Sequence, residues 1–172
     1  SNIMGFYRGP NIVTDGLVLA LDPGSARCYD GTTTVNNLVS SNTASLNNGV
    51  TYLSINGGVW DFDGVDDNIT IPNDSIPSSA TTNKVSICFW SYGEVENQSN
   101  SIIEGNNSAG GRTVNIHMPW GNNTIYWDNP DRLTYQLSTG QSLGWHYWSF
   151  TKDAATGASA IYQDGVLLAS NS

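Results

Sequence analysis

Positive charge is what this chain has least of. Six Lys and Arg stand against fifteen Asp and Glu, which leaves a formal net charge of −9 at pH 7. A surface biased that way repels phosphate backbones and argues against a nucleic-acid partner. No apolar run approaches the length of a membrane span, and no signal-peptide pattern opens the chain, so nothing in the residues points to membrane insertion. Cysteine is scarce as well. Cys28 sits in the loop-like SARCYD and Cys88 in the apolar SICFW, and two such residues in 172 read as free thiols, not as a disulfide framework. No apolar stripe of period 3.6 runs for a helical length anywhere, which excludes a helical bundle.

What the chain does have is glycine and aromatics: eighteen Gly, eight Tyr and six Trp. With few Lys, Glu or Ala, that composition points to an all-β protein of short strands and many turns. The length suits one domain with a core of its own, expected over 15–172 after an irregular segment at 1–14. That segment carries an apolar-aromatic cluster of Ile3, Met4, Phe6 and Tyr7.

Alternation of period two locates the strands. GLVLALDPG predicts a strand at 17–22, apolar on both faces, ended by Asp22-Pro23-Gly24. Residues 25–49 read as loop. In GGVWDFDGVDDNITIP (57–72) two short strands flank an acidic corner of Asp66, Asp67 and Asn68, with pairing strands at 50–54, 60–63 and 69–72. A polar loop follows at 73–83. VSICFWSYG (85–93) reads as the most central strand, and shorter ones are expected at 102–104, 113–118, 124–127 and 133–137. Strands at 147–151, 158–163 and 166–169 close the series, the last two joined by Asp164-Gly165, a strong hairpin signal.

Two groups of residues have the chemistry of a site. Trp120, Tyr126, Trp127 and Tyr135 crowd one section, interleaved with Asp128, Asn129, Asp131 and Arg132. Rings that stack on sugar faces beside amide and carboxylate hydrogen-bonders make a glycan platform, although Trp and Tyr equally fill sandwich cores. Asp66 and Asp67 offer the oxygen ligands that Ca²⁺ takes, and the same corner residues also cap turns through their own backbone. His117 and His146 are the only histidines, too few for a zinc site without further ligands.

Three blocks also carry a family resemblance. Phe-Asp-Gly-x-Asp-Asp-x-apolar-x-Ile-Pro at 62–72 resembles the entry strands of laminin-G-like, concanavalin A-type jelly-roll domains. Trp145-His146, Asp153, Tyr162 and Asp164-Gly165 match the closing strands of the same family. GFYRGPNIVTDGLVLALDPG (5–24) is similar to the start of such domains in structural and tail-fibre proteins of tailed phages, marine phages especially. The blocks span roughly half the chain in the family's order. The resemblance implies an antiparallel concanavalin A-like jelly-roll sandwich on a virion, at the capsid surface or tail, or otherwise extracellular. It implies attachment through a cell-surface glycan; the alternatives are a decoration or assembly domain that meets only other virion proteins, and, third, a glycan-cleaving enzyme. Glu94-Val95-Glu96 is the nearest approach to a catalytic carboxylate set, yet it lacks the intervening Asp and further Glu of the hydrolytic branches, so a non-enzyme is expected. His146 is implied to be a structural strand residue.

The chain departs from the family at TTTVNNLVSSNTASLNNGVTY (32–52) and in stopping soon after the Asp-Gly hairpin. The resemblance therefore implies a sandwich lacking its last strands, completed within a longer chain or by a neighbouring subunit such as a second copy.

Overall fold

The computed structural model describes residues 13–72, 84–106, 109, 111–129 and 131–172. It is all-β with antiparallel sheets in a sandwich-like arrangement, as a jelly-roll-like fold requires. A single 3-10 turn, Ile55–Gly57, is the sole helical element among the described residues. The chain divides into two compact units, Ser1–Ile76 and Pro77–Ser172. The cluster of Ile3, Met4, Phe6 and Tyr7 lies outside the described residues, as does the whole 73–83 segment.

In the first unit, β1 (Thr34–Asn36), β2 (Thr43–Asn47) and β5 (Asn68–Thr70) form one sheet in the order β1-β2-β5. The strands β3 (Thr51–Leu53) and β4 (Val59–Asp61) form a hairpin. Cys28, Val35, Ala44 and Leu46 make its buried centre, ringed by Leu21, Tyr29, Trp60, Ile69 and others. Two expectations fail here. Residues 25–49 are not loop, because Ala44 and Leu46 alternate inward on β2 between polar neighbours. Residues 17–22 form no strand, since their backbone docks on a buried side chain instead of a ladder. Asn37 donates to the Val18 carbonyl (2.9 Å) and accepts from the Ala20 amide (3.0 Å), and the Leu38 amide bonds the Ala20 carbonyl (3.0 Å). One polar side chain meets the groups that strand pairing would otherwise satisfy.

The second unit holds two four-stranded sheets. β7 (Ser101–Asn106), β8 (Arg112–His117), β9 (Thr124–Asp128) and β10 (Arg132–Gln136) lie in the order β10-β9-β8-β7. The other sheet has the order β13-β12-β11-β6, from β6 (Lys84–Gly93), β11 (Gly144–Asp153), β12 (Ser159–Gln163) and β13 (Val166–Asn171). Alternation sends Ile87, Trp148, Phe150 and Ile161 of one sheet against Val114, Ile116, Ile125, Trp127 and Leu133 of the other. Phe89 stacks on Phe150 with centroids 5.9 Å apart, and Trp127 meets Phe150 at 5.8 Å. Each such side chain contributes roughly 1.5–3 kcal/mol by leaving water. Every strand expected in this unit is present, but β6 is not central. Among the described residues it pairs only with β11, at the end of its sheet.

Asp164 and Gly165 turn the chain between β12 and β13 with positive φ at both residues (51° and 81°), the backbone of a type I′ hairpin. Both thiols are free, Cys28 buried and Cys88 exposed. Burial raises the Cys28 thiol above its ordinary pKa, opposed by the hydrogen bond from the Asp22 amide.

Candidate functional site

The residues read as a glycan platform divide between the two sides of β8–β10. Ile125 and Trp127 point inward and Tyr126 and Asp128 outward, because neighbours on a strand alternate. Trp127 is fully buried and its indole Nε1 donates to the Thr151 carbonyl (3.0 Å), so no face of that ring is open to a ligand. Tyr135 packs against the same core. Asp131 faces Lys152 Nζ at 3.5 Å, meeting the charge of a lysine that is otherwise buried and bonded to the Gly157 carbonyl. Asn129 is fully buried; its backbone amide donates to the Asp131 carbonyl (3.1 Å), while its side-chain carboxamide has no partner among the described residues.

Trp120, Tyr126 and Asp128 do come together, on the outer side of this sheet. Register sets Asn115, Asp128 and Arg132 in one row and His117 beside Tyr126 in the next. Arg132 grips Asp128 in bidentate fashion (2.7 and 2.8 Å) and lies 4.7 Å from the Tyr126 ring centre. His117 contacts Ser101 Oγ through Nδ1 (2.8 Å) and Asn115 through Nε2 (2.6 Å), under the Trp120 ring at 4.2 Å. Burial, and then the Arg112 charge, lowers the His117 pKa and keeps the ring neutral. Burial raises the Asp128 pKa, but the Arg132 hydrogen bond and charge outweigh it, and the net shift is downward. Asn115, His117 and Asp128 are all nearly inaccessible, and the network ties them to one another while leaving Asn115 Oδ1 buried without a partner among the described residues.

The acidic corner gathers Asp63 with the expected Asp66 and Asp67, carboxylate oxygens of the three lying within 4.8 Å of one another. Asp63 Oδ1 accepts from the Val65 amide (2.8 Å), and Asp67 Oδ2 accepts from the Asp63 amide (3.0 Å), which is turn capping. The Val65 hydrogen bond, foremost, holds the Asp63 carboxyl below its usual pKa. These oxygens are of the type Ca²⁺ takes, and Asp67 Oδ1 is buried without a partner among the described residues.

The most exposed aromatic surface was not among the residues that composition and spacing singled out. On the outer side of β6 and β11, cross-strand register makes five rungs: Lys84–Asp153, Ser86–Thr151, Cys88–Ser149, Trp90–Tyr147 and Tyr92–Trp145. The last two rungs are aromatic pairs with centroids 5.4 and 5.5 Å apart. Trp90 and Tyr92 are 64% and 55% exposed, and Trp145 and Tyr147 39% and 36%. Parity alone would have placed the two rings of each strand on one face; their pairing across the strands needs the register as well.

Comparison with protein-family models, curated proteins and solved structures returned no match.

Other chemistry-bearing groups serve structure. Glu96 accepts from the Gly140 amide (2.6 Å) and the Asn123 side chain (3.4 Å), joining two loops. His146 contacts the Asp164 carboxylate through Nδ1 (2.7 Å) and the Leu143 carbonyl through Nε2 (3.1 Å). An open depression of about 510 Å³ beside it is lined by Gln141, Leu143, Gln163 and Leu168, among others, and the two glutamines bond each other there at 3.1 Å.

Proposed function

We propose that this chain is a non-enzymatic binding module that holds glycans on the outer aromatic face of β6 and β11. Four rings on one exposed sheet face carry this reading. Leaving Trp and Tyr in water forgoes their burial, and an exposed patch of that kind marks a surface that meets a partner. The apolar C–H faces of a pyranose stack on such rings while its hydroxyls stay hydrated. A hydrolase would need two carboxylates free to flank a glycosidic bond, whereas Glu96 is engaged as a tie between loops. The resemblance of residues 5–24, 62–72 and 145–165 to laminin-G-like jelly-roll domains of tailed phages supports an attachment role on a virion, at capsid surface or tail.

A decoration or assembly domain is the second reading, since Trp and Tyr also dominate protein–protein contacts. Glycan-array binding of the chain, repeated with Trp90→Ala, separates the two. Array signal lost in the variant supports glycan attachment. No array signal, together with stable incorporation into particles, supports assembly, and release of reducing sugar would overturn both.

A further inference from the structure

We infer that the ligand is an extended, uncharged oligosaccharide lying along β6 and β11, with the hydroxyl rungs as subsites beyond the aromatic ones. This rests on the glycan-binding reading and names the ligand class for the same face.

The strip changes character along its length. Two aromatic rungs are followed by Cys88–Ser149 and then by Ser86–Thr151. Neither the Ser86 nor the Thr151 hydroxyl has a side-chain partner among the described residues, so both are free to bond a ligand. From Tyr92 to Ser86 the strip runs roughly 20 Å at about 3.4 Å per residue, longer than a single sugar. Stacking at one end and hydroxyl hydrogen bonds at the other suit a chain of sugars.

Charge narrows the class. Lys84, at the far rung, is neutralised by Asp153 at 3.3 Å, and the rungs between carry no ionised group. No guanidinium or ammonium is left on the strip to hold a uronate, sialate or sulfate, and the chain's net charge of −9 opposes one. The area argues against a protein in this place. Four rings of about 200 Å² each, between one-third and two-thirds exposed, offer about 400 Å², roughly half of what one partner gives a stable interface.

The test uses the full chain and a panel of neutral and acidic glycans, followed by a di- to hexasaccharide series of the best neutral binder. Affinity is expected to rise at least tenfold along the series, and Ser86→Ala with Thr151→Val is expected to remove most of that gain. Alkylating the exposed Cys88 with a bulky maleimide, with retained fold checked by circular dichroism, should abolish hexasaccharide binding. Affinity that is flat with length, acidic chains bound as well as neutral ones, or indifference to alkylation overturns the strip. Where such binding still depends on Trp90, the glycan-binding reading survives. Binding untouched by Trp90→Ala overturns both.

Discussion

His146 lies 2.7 Å from the Asp164 carboxylate and ties the start of β11 to the turn between β12 and β13. Asp164 also accepts from the Tyr147 amide at 2.9 Å and donates its own amide to the Tyr147 carbonyl at 2.8 Å. One turn residue therefore pins β11, the strand that neighbours β12 on the side away from β13. Trp145 and Tyr147, which flank His146, owe their placement on the outer face to the strand so held.

The pH dependence of this clamp has a definite sign. The His146 hydrogen bond, first, and the Tyr147 amide hold the Asp164 carboxyl below its ordinary pKa. A depressed folded-state pKa gives stability that is present above the unfolded value and lost as pH falls through the folded one. Asp164→Asn keeps a residue that tolerates positive φ but removes the charge, and at neutral pH it should cost about 1 kcal/mol, allowing for the half-exposed carboxylate. Thermal melts are expected to show a difference of a few degrees at pH 7 that disappears below the aspartate range. A difference unchanged in acid would contradict the clamp.

Trp127 and Trp120 were indistinguishable in the sequence as sugar-stacking candidates, and they should now behave differently. Trp127→Ala empties the centre of the core and is expected to cost about 3–5 kcal/mol. Trp120, 37% exposed over His117, should cost much less when truncated. Denaturant unfolding of both variants measures this, and equal losses would contradict the assignment of core and surface.

A third expectation concerns Gly93, where β6 ends against the approach to β11. A Cβ there would collide with the Ser142 carbonyl, and that backbone cannot swing aside as a side chain would. Gly93→Ala should destabilise by about 1–3 kcal/mol and disturb the neighbouring Tyr92–Trp145 rung. Wild-type stability in the unfolding curve of that variant would show that the approach is looser than described.

Much of this was legible in the residues, and the exceptions share a cause. Strands β6, β8, β9, β11 and the β12–β13 hairpin declared themselves because period-two alternation and turn chemistry agreed. Residues 17–22 misled because apolar alternation shows that a segment is extended, not what its backbone bonds, and Asn37 supplied those bonds from elsewhere. Strand β2 hid because TASLN buries only Ala44 and Leu46. In the candidate site, crowding of aromatics marked the section around Trp120 to Tyr135, but crowding carries no parity. Parity put Trp127 in the core and Tyr126 outside, and register across two distant strands set Trp90 beside Tyr147.

The most direct measurement is glycan affinity of the intact chain, read by isothermal titration against the best binder of an array, with Trp90→Ala/Trp145→Ala as comparison. Removing one ring from each aromatic rung is expected to lower affinity at least about thirtyfold, from about 1–3 kcal/mol per stacked ring, while Trp120→Ala leaves it within a factor of two. Unaltered affinity in the double variant, or a loss confined to Trp120→Ala, would contradict the assignment of binding to the β6–β11 face.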